Sequence, residues 1–178
     1  MEGRPPAAPT TTMKSGNRQS VRLPGHDYSG PGIYFVTLCT EGRERLFGDV
    51  INGKMRLNYF GLVVQEEWMR SPQIRSEVDL DRWIVMPDHF HGIVFIHPKN
   101  GFRGVVGAAG GRPALQSRSL GALIGGFKSI TTKRINQIRG NPEGQVWQRN
   151  YDEHIIDNDE ELQRVRQYIK DNPKNWKG

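Results

Sequence analysis

The chain has 178 residues, enough for one domain of ordinary size, and a formal net charge of +6. Its single cysteine, Cys39, excludes a disulfide framework or a zinc site made of cysteines within the chain. The excess of 25 Lys and Arg over 19 Asp and Glu suits a polyanion such as nucleic acid, although many small basic proteins have no such partner. One cysteine, and no run of about 18 apolar residues, predict a cytoplasmic protein without a membrane span.

Residues 1–30 are rich in Pro, Thr, Ser and Gly, and carry basic residues without an apolar core. Such a segment cannot bury enough surface to offset the entropy lost on ordering. We therefore predict a flexible basic arm and not a secretory signal. The arm is either a solvated tail or a contact for DNA phosphates. The folded domain is predicted to span residues 31–178.

The domain is predicted to begin with a strand and a hairpin. The segment Ile33–Cys39 is β-branched and aromatic, which favours a strand near the centre of a sheet. The segment Leu46–Leu57 holds Asn52-Gly53 between short apolar runs. Asn-Gly indicates a tight hairpin turn because both residues tolerate a positive φ.

A helix and a second pair of strands are predicted next. Asn58 is a helix N-cap, apolar residues then recur at helical spacing, and Pro72 is expected to end the helix. Val78–Met86 is predicted as a strand with an edge or bulge at Pro87. Gly92–His97 is predicted as its partner.

The remainder combines a long loop, two helices and a last strand. Residues 98–118 are rich in Gly and Arg without periodicity, which predicts the loop. Apolar spacing predicts a helix over residues 119–139, a strand over 146–156 and a final helix over 159–172. The order β, hairpin, α, β, β, α, β, α predicts an α+β, ferredoxin-like sandwich. Its sheet is expected to be mostly antiparallel, with helices on one face and a separate C-terminal helix.

Two histidines in the segment Met86–Gly92 are the sharpest local feature. His89 and His91 are two residues apart, so on a strand they face the same side, while Phe90 faces the other. Two adjacent imidazoles can hold one divalent cation. The same pattern also occurs in surface histidines on a half-polar strand. His97 lies too far along the strand to complete the same site.

A tyrosine in the final helix is the second feature. Leu162, Val165 and Ile169 form its buried stripe, and Tyr168 lies at the edge of that stripe. Asn172 follows one turn later on the same side. Tyr168 is either a packing residue or a phenolic nucleophile that attacks phosphorus, with Asn172 as a further metal ligand.

Taken together, four motifs resemble the single-tyrosine HUH transposases and, within them, the REP-associated tyrosine transposases. They occur in the order Pro-Asp-His-Phe-His (87–91), Gly-Gly-Phe-Lys-Ser (125–129), Val-Trp-Gln-Arg-Asn-Tyr-Asp-Glu-His (146–154) and Tyr-Ile-Lys-Asp-Asn-Pro (168–173). The resemblance covers roughly residues 33–176. Four motifs in order are far more specific than a pair of histidines.

The resemblance implies a metal-dependent strand transferase. His89 and His91, with a polar side chain of the tyrosine helix, hold Mg²⁺ or Mn²⁺, and Tyr168 forms a 5′-phosphotyrosine without ATP. Asn172 is assigned as the third ligand by position, where relatives often have the longer Gln. Tyr151 is the rival nucleophile, but Tyr168 falls where the family motif places it. The implied partner is single-stranded or hairpin DNA.

Further residues are candidates for supporting roles. Asp152 and His154 lie two apart on the last predicted strand, where they either orient metal ligands or DNA by hydrogen bonds or serve the fold. Trp147 and Tyr151 suit base stacking, although packing in the core is the usual role of a tryptophan. Four basic residues are candidate DNA contacts: Lys128, Lys133, Arg134 and Arg149.

Three other functions remain open from the sequence. The first is a domesticated protein that binds hairpin DNA or RNA without catalysis. The second is a metal-dependent phosphodiesterase with water as the nucleophile, and the third is a metal-binding protein with a structural role. The chain is expected to be a monomer or a homodimer associated with a bacterial nucleoid.

Overall fold

A computed structural model describes residues 30–98 and 119–177 of the chain. The predicted arm therefore lies almost wholly outside the described residues, as does nearly all of the predicted loop over 98–118. Six strands and three α-helices are present in the described part, together with 3₁₀ turns at Glu41–Arg43 and Asn172–Asn175. They are β1 (Gly32–Cys39), β2 (Gly48–Ile51), β3 (Lys54–Leu57), α1 (Tyr59–Ile74), β4 (Val78–Val85), β5 (His89–Ile96), α2 (Leu120–Arg139), β6 (Asp152–Ile155) and α3 (Asp159–Asp171).

The main sheet has four strands in the order β4-β5-β1-β6, and every neighbouring pair is antiparallel. With the β2-β3 hairpin set apart as a sheet of its own, the chain follows a β-α-β-β-α-β path. The predicted α+β, ferredoxin-like sandwich is thereby confirmed, and β1 is central as expected. None of the helices described has both the length and the apolar content that a membrane crossing requires.

The two faces of this sheet pack against different helices. Residues of α1 and α2 share a large buried cluster with one face of the sheet, which includes Tyr34, Val36 and Leu38 of β1. The alternate residues of β1, Ile33 and Phe35, face a smaller cluster with α3. Because strand side chains alternate between faces, each strand serves both clusters.

Local hydrogen bonds fix the ends of the helices where the sequence predicted them. The N-caps of α1, α2 and α3 each accept a bond from a backbone N–H three residues on, at 3.0, 3.2 and 2.8 Å respectively. The three caps are Asn58, Ser119 and Asn158. The hairpin turns at Asn52 and Gly53, whose φ angles are 53° and 68°, as the Asn-Gly pair predicts.

Four details differ from the sequence prediction. Helix α1 continues through Pro72 to Ile74, and β5 begins at His89 instead of Gly92. The irregular pairing in β4 lies between Leu80 and Trp83, and not at Pro87. The last strand is four residues long, whereas residues 146–156 were predicted.

Candidate active site

The two candidate metal ligands lie side by side on β5. Phe90, between them, is fully buried and contacts Trp68 of α1, with ring centroids 4.6 Å apart. Alternation along the strand therefore turns His89 and His91 toward the opposite face, which α3 covers. Both histidines are buried, and their ring centroids are 4.6 Å apart. Rings at this separation can share one cation, which imidazole nitrogens approach to about 2.1 Å.

Each imidazole has a hydrogen-bond partner at Nδ1. Asp88 Oδ1 lies 2.5 Å from Nδ1 of His89, and Thr37 Oγ1 lies 2.8 Å from Nδ1 of His91. Thr37 is the residue directly opposite His91 in the pairing of β1 with β5. Neither partner was predicted from the sequence. Asp88 precedes the first histidine in the motif and could have been proposed, but Thr37 depends on a strand register that the sequence does not reveal.

The electrostatic environment keeps His91 neutral. Burial lowers the pKa of His91 well below its usual value, and the neighbouring His89 and the guanidinium of Arg43 lower it further. A neutral imidazole retains a lone pair, which is the form that binds metals.

Tyr168 of α3 lies against these histidines. Its ring stands edge-on to the ring of His91, with centroids 5.3 Å apart. Phe35 of β1 completes the cluster, stacked on His91 at 5.3 Å and edge-on to Tyr168 at 6.0 Å. Tyr168 remains 39% exposed, so its side chain is accessible from solvent as well as anchored. The two imidazoles and the phenol of Tyr168 therefore lie next to one another.

Asn172 occupies the end of the same helix. Its φ and ψ of −52° and −46° remain helical, so it follows Tyr168 by one turn. Four residues later, Trp176 contacts the ring of His89 at 5.6 Å. In sequence, Asn172 thus lies between Tyr168, which contacts His91, and Trp176, which contacts His89. Within the described ranges no three His, Cys, Asp or Glu side chains gather as metal ligands, so a further protein ligand would be of another type, such as this amide.

The two candidate residues of β6, Asp152 and His154, lie on the same face of the sheet but have different contacts. Asp152 is exposed and pairs in register with Thr37, on the side of β1 away from His91. His154 bonds through Nε2 to Glu161 Oε1 at 2.7 Å. That bond joins β6 to the first turn of α3, so His154 positions the helix that carries Tyr168.

Two of the four basic candidates are engaged within the fold. Lys128 Nζ donates to the carbonyl oxygens of Gln148 and Arg149, at 2.6 and 3.0 Å, and burial lowers its pKa. Arg134 pairs with Glu66 and Glu67 of α1, at 2.8 and 2.5 Å. Both cations thus hold elements together, a role that the basic face of α2 did not reveal in the sequence.

The other two basic candidates, Lys133 and Arg149, are exposed. They line an open groove of about 1280 Å³ between α2 and the segment that precedes β6. Gly125 and Ser129 of the Gly-Gly-Phe-Lys-Ser motif line the same groove.

The two aromatic residues of the third motif belong to the other face of the sheet. Trp147 is buried, and its Nε1 donates to Thr131 Oγ1 at 2.9 Å, so the structure does not offer it for base stacking. Tyr151 is half-buried and packs against the large cluster under α1 and α2. The rival nucleophile therefore lies away from the histidines, on the opposite side of the sheet.

Comparison with known proteins finds a relative by sequence and matches among solved structures. An uncharacterised protein of Haemophilus influenzae Rd is 35% identical over 176 residues, which cover 94% of this chain and 95% of that protein. A REP-associated tyrosine transposase bound to a REP hairpin has a TM-score of 0.49 at 18% identity, covering 91% of this chain and 73% of that one. A candidate transposase of Deinococcus radiodurans R1 has a TM-score of 0.44 at 14% identity, covering 89% of this chain and 96% of that one.

No model of a known protein family matches the chain. The Haemophilus influenzae protein is related over nearly the full length of both chains. This chain therefore belongs to the same protein family as that protein.

Proposed function

We propose that the protein is a metal-dependent transposase that cuts and rejoins single-stranded or hairpin DNA through a covalent bond to Tyr168. The observation that carries this proposal is the contact between the Tyr168 and His91 rings, at 5.3 Å, beside a second buried histidine at 4.6 Å. A phenol next to two imidazoles combines a nucleophile with a candidate metal site. The substrate class is the one implied by the resemblance that the four ordered motifs carry.

Three side chains of this chain would hold the metal: His89, His91 and Asn172. The donor set of two imidazoles and one amide oxygen suits Mn²⁺, and it suits Mg²⁺ when water fills the other positions. When bound there, the cation would polarise the scissile phosphate and stabilise charge on the leaving oxygen.

Tyr168 performs the covalent step in this proposal. Its hydroxyl oxygen attacks the phosphorus, its proton passes to solvent, and the bond from phosphorus to the 3′ oxygen breaks. The 3′ oxygen takes a proton from solvent, so the products are a 5′-phosphotyrosine and a free 3′ hydroxyl. A second 3′ hydroxyl then attacks the same phosphorus and releases Tyr168, so that the strands are joined without ATP. The rings of Phe35 and His91 both contact the tyrosine ring, which limits the orientations that the tyrosine must search.

Exposed basic residues provide a route for the DNA backbone. Lys133 and Arg149 line one groove beside the Gly-Gly-Phe-Lys-Ser motif, and the net charge of +6 favours approach of a polyanion. An enzyme with this substrate would act at the chromosome, in the cytoplasm of a bacterial cell.

The proposal is tested with oligonucleotides that carry imperfect palindromes from the DNA flanking the gene. In Mn²⁺, the wild-type protein should form a protein–DNA adduct that survives a denaturing gel. Tyr168→Phe should abolish the adduct, whereas Tyr151→Phe, the matched loss of a hydroxyl on the opposite face, should retain it. His89→Ala should also abolish it.

Two results would contradict this mechanism. An adduct of undiminished yield in Tyr168→Phe would assign the covalent bond to another residue. Cleavage that persists in Tyr168→Phe without any adduct would instead indicate a phosphodiesterase with water as the nucleophile.

A further inference from the structure

We propose that Asp88 and Thr37 are positioning residues that hold both histidines in the tautomer with the proton on Nδ1. Each then presents the lone pair of Nε2 to one shared cation. This inference rests on the proposed function, because it concerns the metal site of that same reaction. It assigns a role to two residues that do not themselves touch the metal.

The carboxylate of Asp88 fixes the tautomer of His89. An ionised carboxylate only accepts hydrogen bonds, so Nδ1 of His89, 2.5 Å away, must carry the proton. The other carboxylate oxygen lies 3.7 Å from Nη1 of Arg43, so both carboxylate oxygens have a partner. Asp88 therefore accepts the hydrogen bond from Nδ1 of His89, and Nε2 of the same ring is left with its lone pair.

Backbone contacts hold Asp88 in place. Its carbonyl oxygen accepts bonds from both the backbone N–H and the hydroxyl of Thr40, each at 2.9 Å. Two residues before Asp88, the N–H of Met86 donates to the carbonyl oxygen of His89 at 2.8 Å, which closes a tight turn. The orientation of the first imidazole is thus tied to the connection between β4 and β5.

Thr37 plays the corresponding part for His91, with less constraint. A hydroxyl both donates and accepts, so its 2.8 Å contact with Nδ1 fits either tautomer. Phe35, stacked on the imidazole with 27° between planes, holds the plane of the ring. In the proposed arrangement the Thr37 hydroxyl accepts from Nδ1, and Nε2 of His91 is free for the cation. Partners of this kind often change metal affinity by about 10- to 100-fold.

The first experiment needs no substitution and no metal. The full chain, labelled with ¹⁵N-histidine, is studied by long-range ¹H–¹⁵N correlation NMR at mildly alkaline pH. Both His89 and His91 should show a protonated Nδ1 and an unprotonated Nε2. A protonated Nε2 at either residue would overturn the proposal for that residue.

The second experiment measures Mn²⁺ affinity by calorimetry. Asp88→Asn offers an amide that can donate to Nδ1, so we expect a change of tautomer and affinity weaker by about 10- to 100-fold. Thr37→Val, which removes the hydroxyl at nearly constant shape, should weaken binding, and Thr37→Ser should restore it. The matched control is Asp79→Asn, because Asp79 bonds His97 at 2.7 Å on the exposed end of the same strand pair. That variant should bind Mn²⁺ as the wild type does.

These outcomes separate this inference from the proposed function. Unchanged Mn²⁺ affinity in both Asp88→Asn and Thr37→Val would overturn the positioning role, even if the wild type forms the DNA adduct. Conversely, the expected tautomers and affinity changes would support the positioning role in a protein that forms no adduct.

Discussion

The contact of Arg134 with two glutamates predicts that replacing Arg134 lowers the stability of the fold. The sequence had suggested instead that Arg134 contacts DNA. Glu67 is the important partner, because its side chain is only 3% exposed, whereas that of Glu66 is 56% exposed. In Arg134→Met the long apolar stem is kept and the charge is lost. The buried carboxylate of Glu67 then loses its nearest cation.

The size of the defect follows from burial. Removing one partner of a buried ion pair costs about 3–5 kcal/mol. Arg134 is itself 31% exposed, and Nη1 of Arg70 remains 3.4 Å from the same oxygen of Glu67, so we expect a smaller loss. A loss of about 2 kcal/mol corresponds to a decrease in Tm of about 4–8 °C for a domain of this size.

Thermal unfolding and DNA binding are measured on a matched pair of variants. Lys133→Met removes the neighbouring, exposed cation of α2. It should leave Tm nearly unchanged and reduce the salt dependence of DNA affinity by about one unit of slope. Arg134→Met should do the reverse, and Glu67→Gln in its background should recover part of the lost stability. A normal Tm combined with a reduced salt slope in Arg134→Met would refute the assignment of Arg134 to the fold.

Three further predictions concern side-chain packing, the pH dependence of stability, and the hydrogen bonds that Lys128 donates to the segment before β6. Gly92→Ala should destabilise the fold by about 1–3 kcal/mol in denaturant titrations, because the added Cβ would lie 2.8 Å from Trp68 and 2.9 Å from Phe90. Its control is Gly126→Ala, where the added Cβ would meet open space, so that α2 should be stabilised by about 0.5–1 kcal/mol. The hydrogen bond from His154 lowers the pKa of Glu161, so its stabilising effect is present above the ordinary carboxyl pKa and lost as pH falls through the lowered value. The stability difference between wild type and Glu161→Gln should therefore shrink in acid, and a difference that grows would contradict this sign. Lys128→Met should speed amide hydrogen exchange around Gln148 and Arg149, whose carbonyls it holds, and unchanged exchange would exclude that tether.

Features set by residues near in sequence could be predicted. The three N-caps and the Asn-Gly turn depend on contacts within about four residues, so the pattern alone located them. The convergence of His89, His91 and Tyr168 was predicted differently, from the order of four motifs. Spacing alone could not have joined a strand and a helix almost 80 residues apart.

Features set by partners far away in sequence could not be predicted. The residues 146–151 were expected to belong to the last strand, but the backbone there bonds to a side chain of α2: Lys128 donates to the carbonyl oxygens of Gln148 and Arg149. Likewise, the sequence does not distinguish Arg134 from an exposed lysine, because the partners of Arg134 lie on α1. Pro72 was expected to end α1, yet near the last turn its missing N–H removes only one helical bond, and Arg75 still donates to Ser71.

The alternation of β5 explains how stability and chemistry coexist in so small a sheet. Phe90 and Val94 belong to the large cluster under α1 and α2, while the alternate residues His91 and Ile93 face α3. A shift of pairing by one residue would turn the imidazoles into the large cluster under α1 and α2, and would turn Phe90 toward α3. The large cluster therefore does more than stabilise the fold, because it fixes the register that places Thr37 opposite His91. It follows that a core substitution on the α1 side which loosens this register should weaken metal binding, even though it lies on the other side of the sheet.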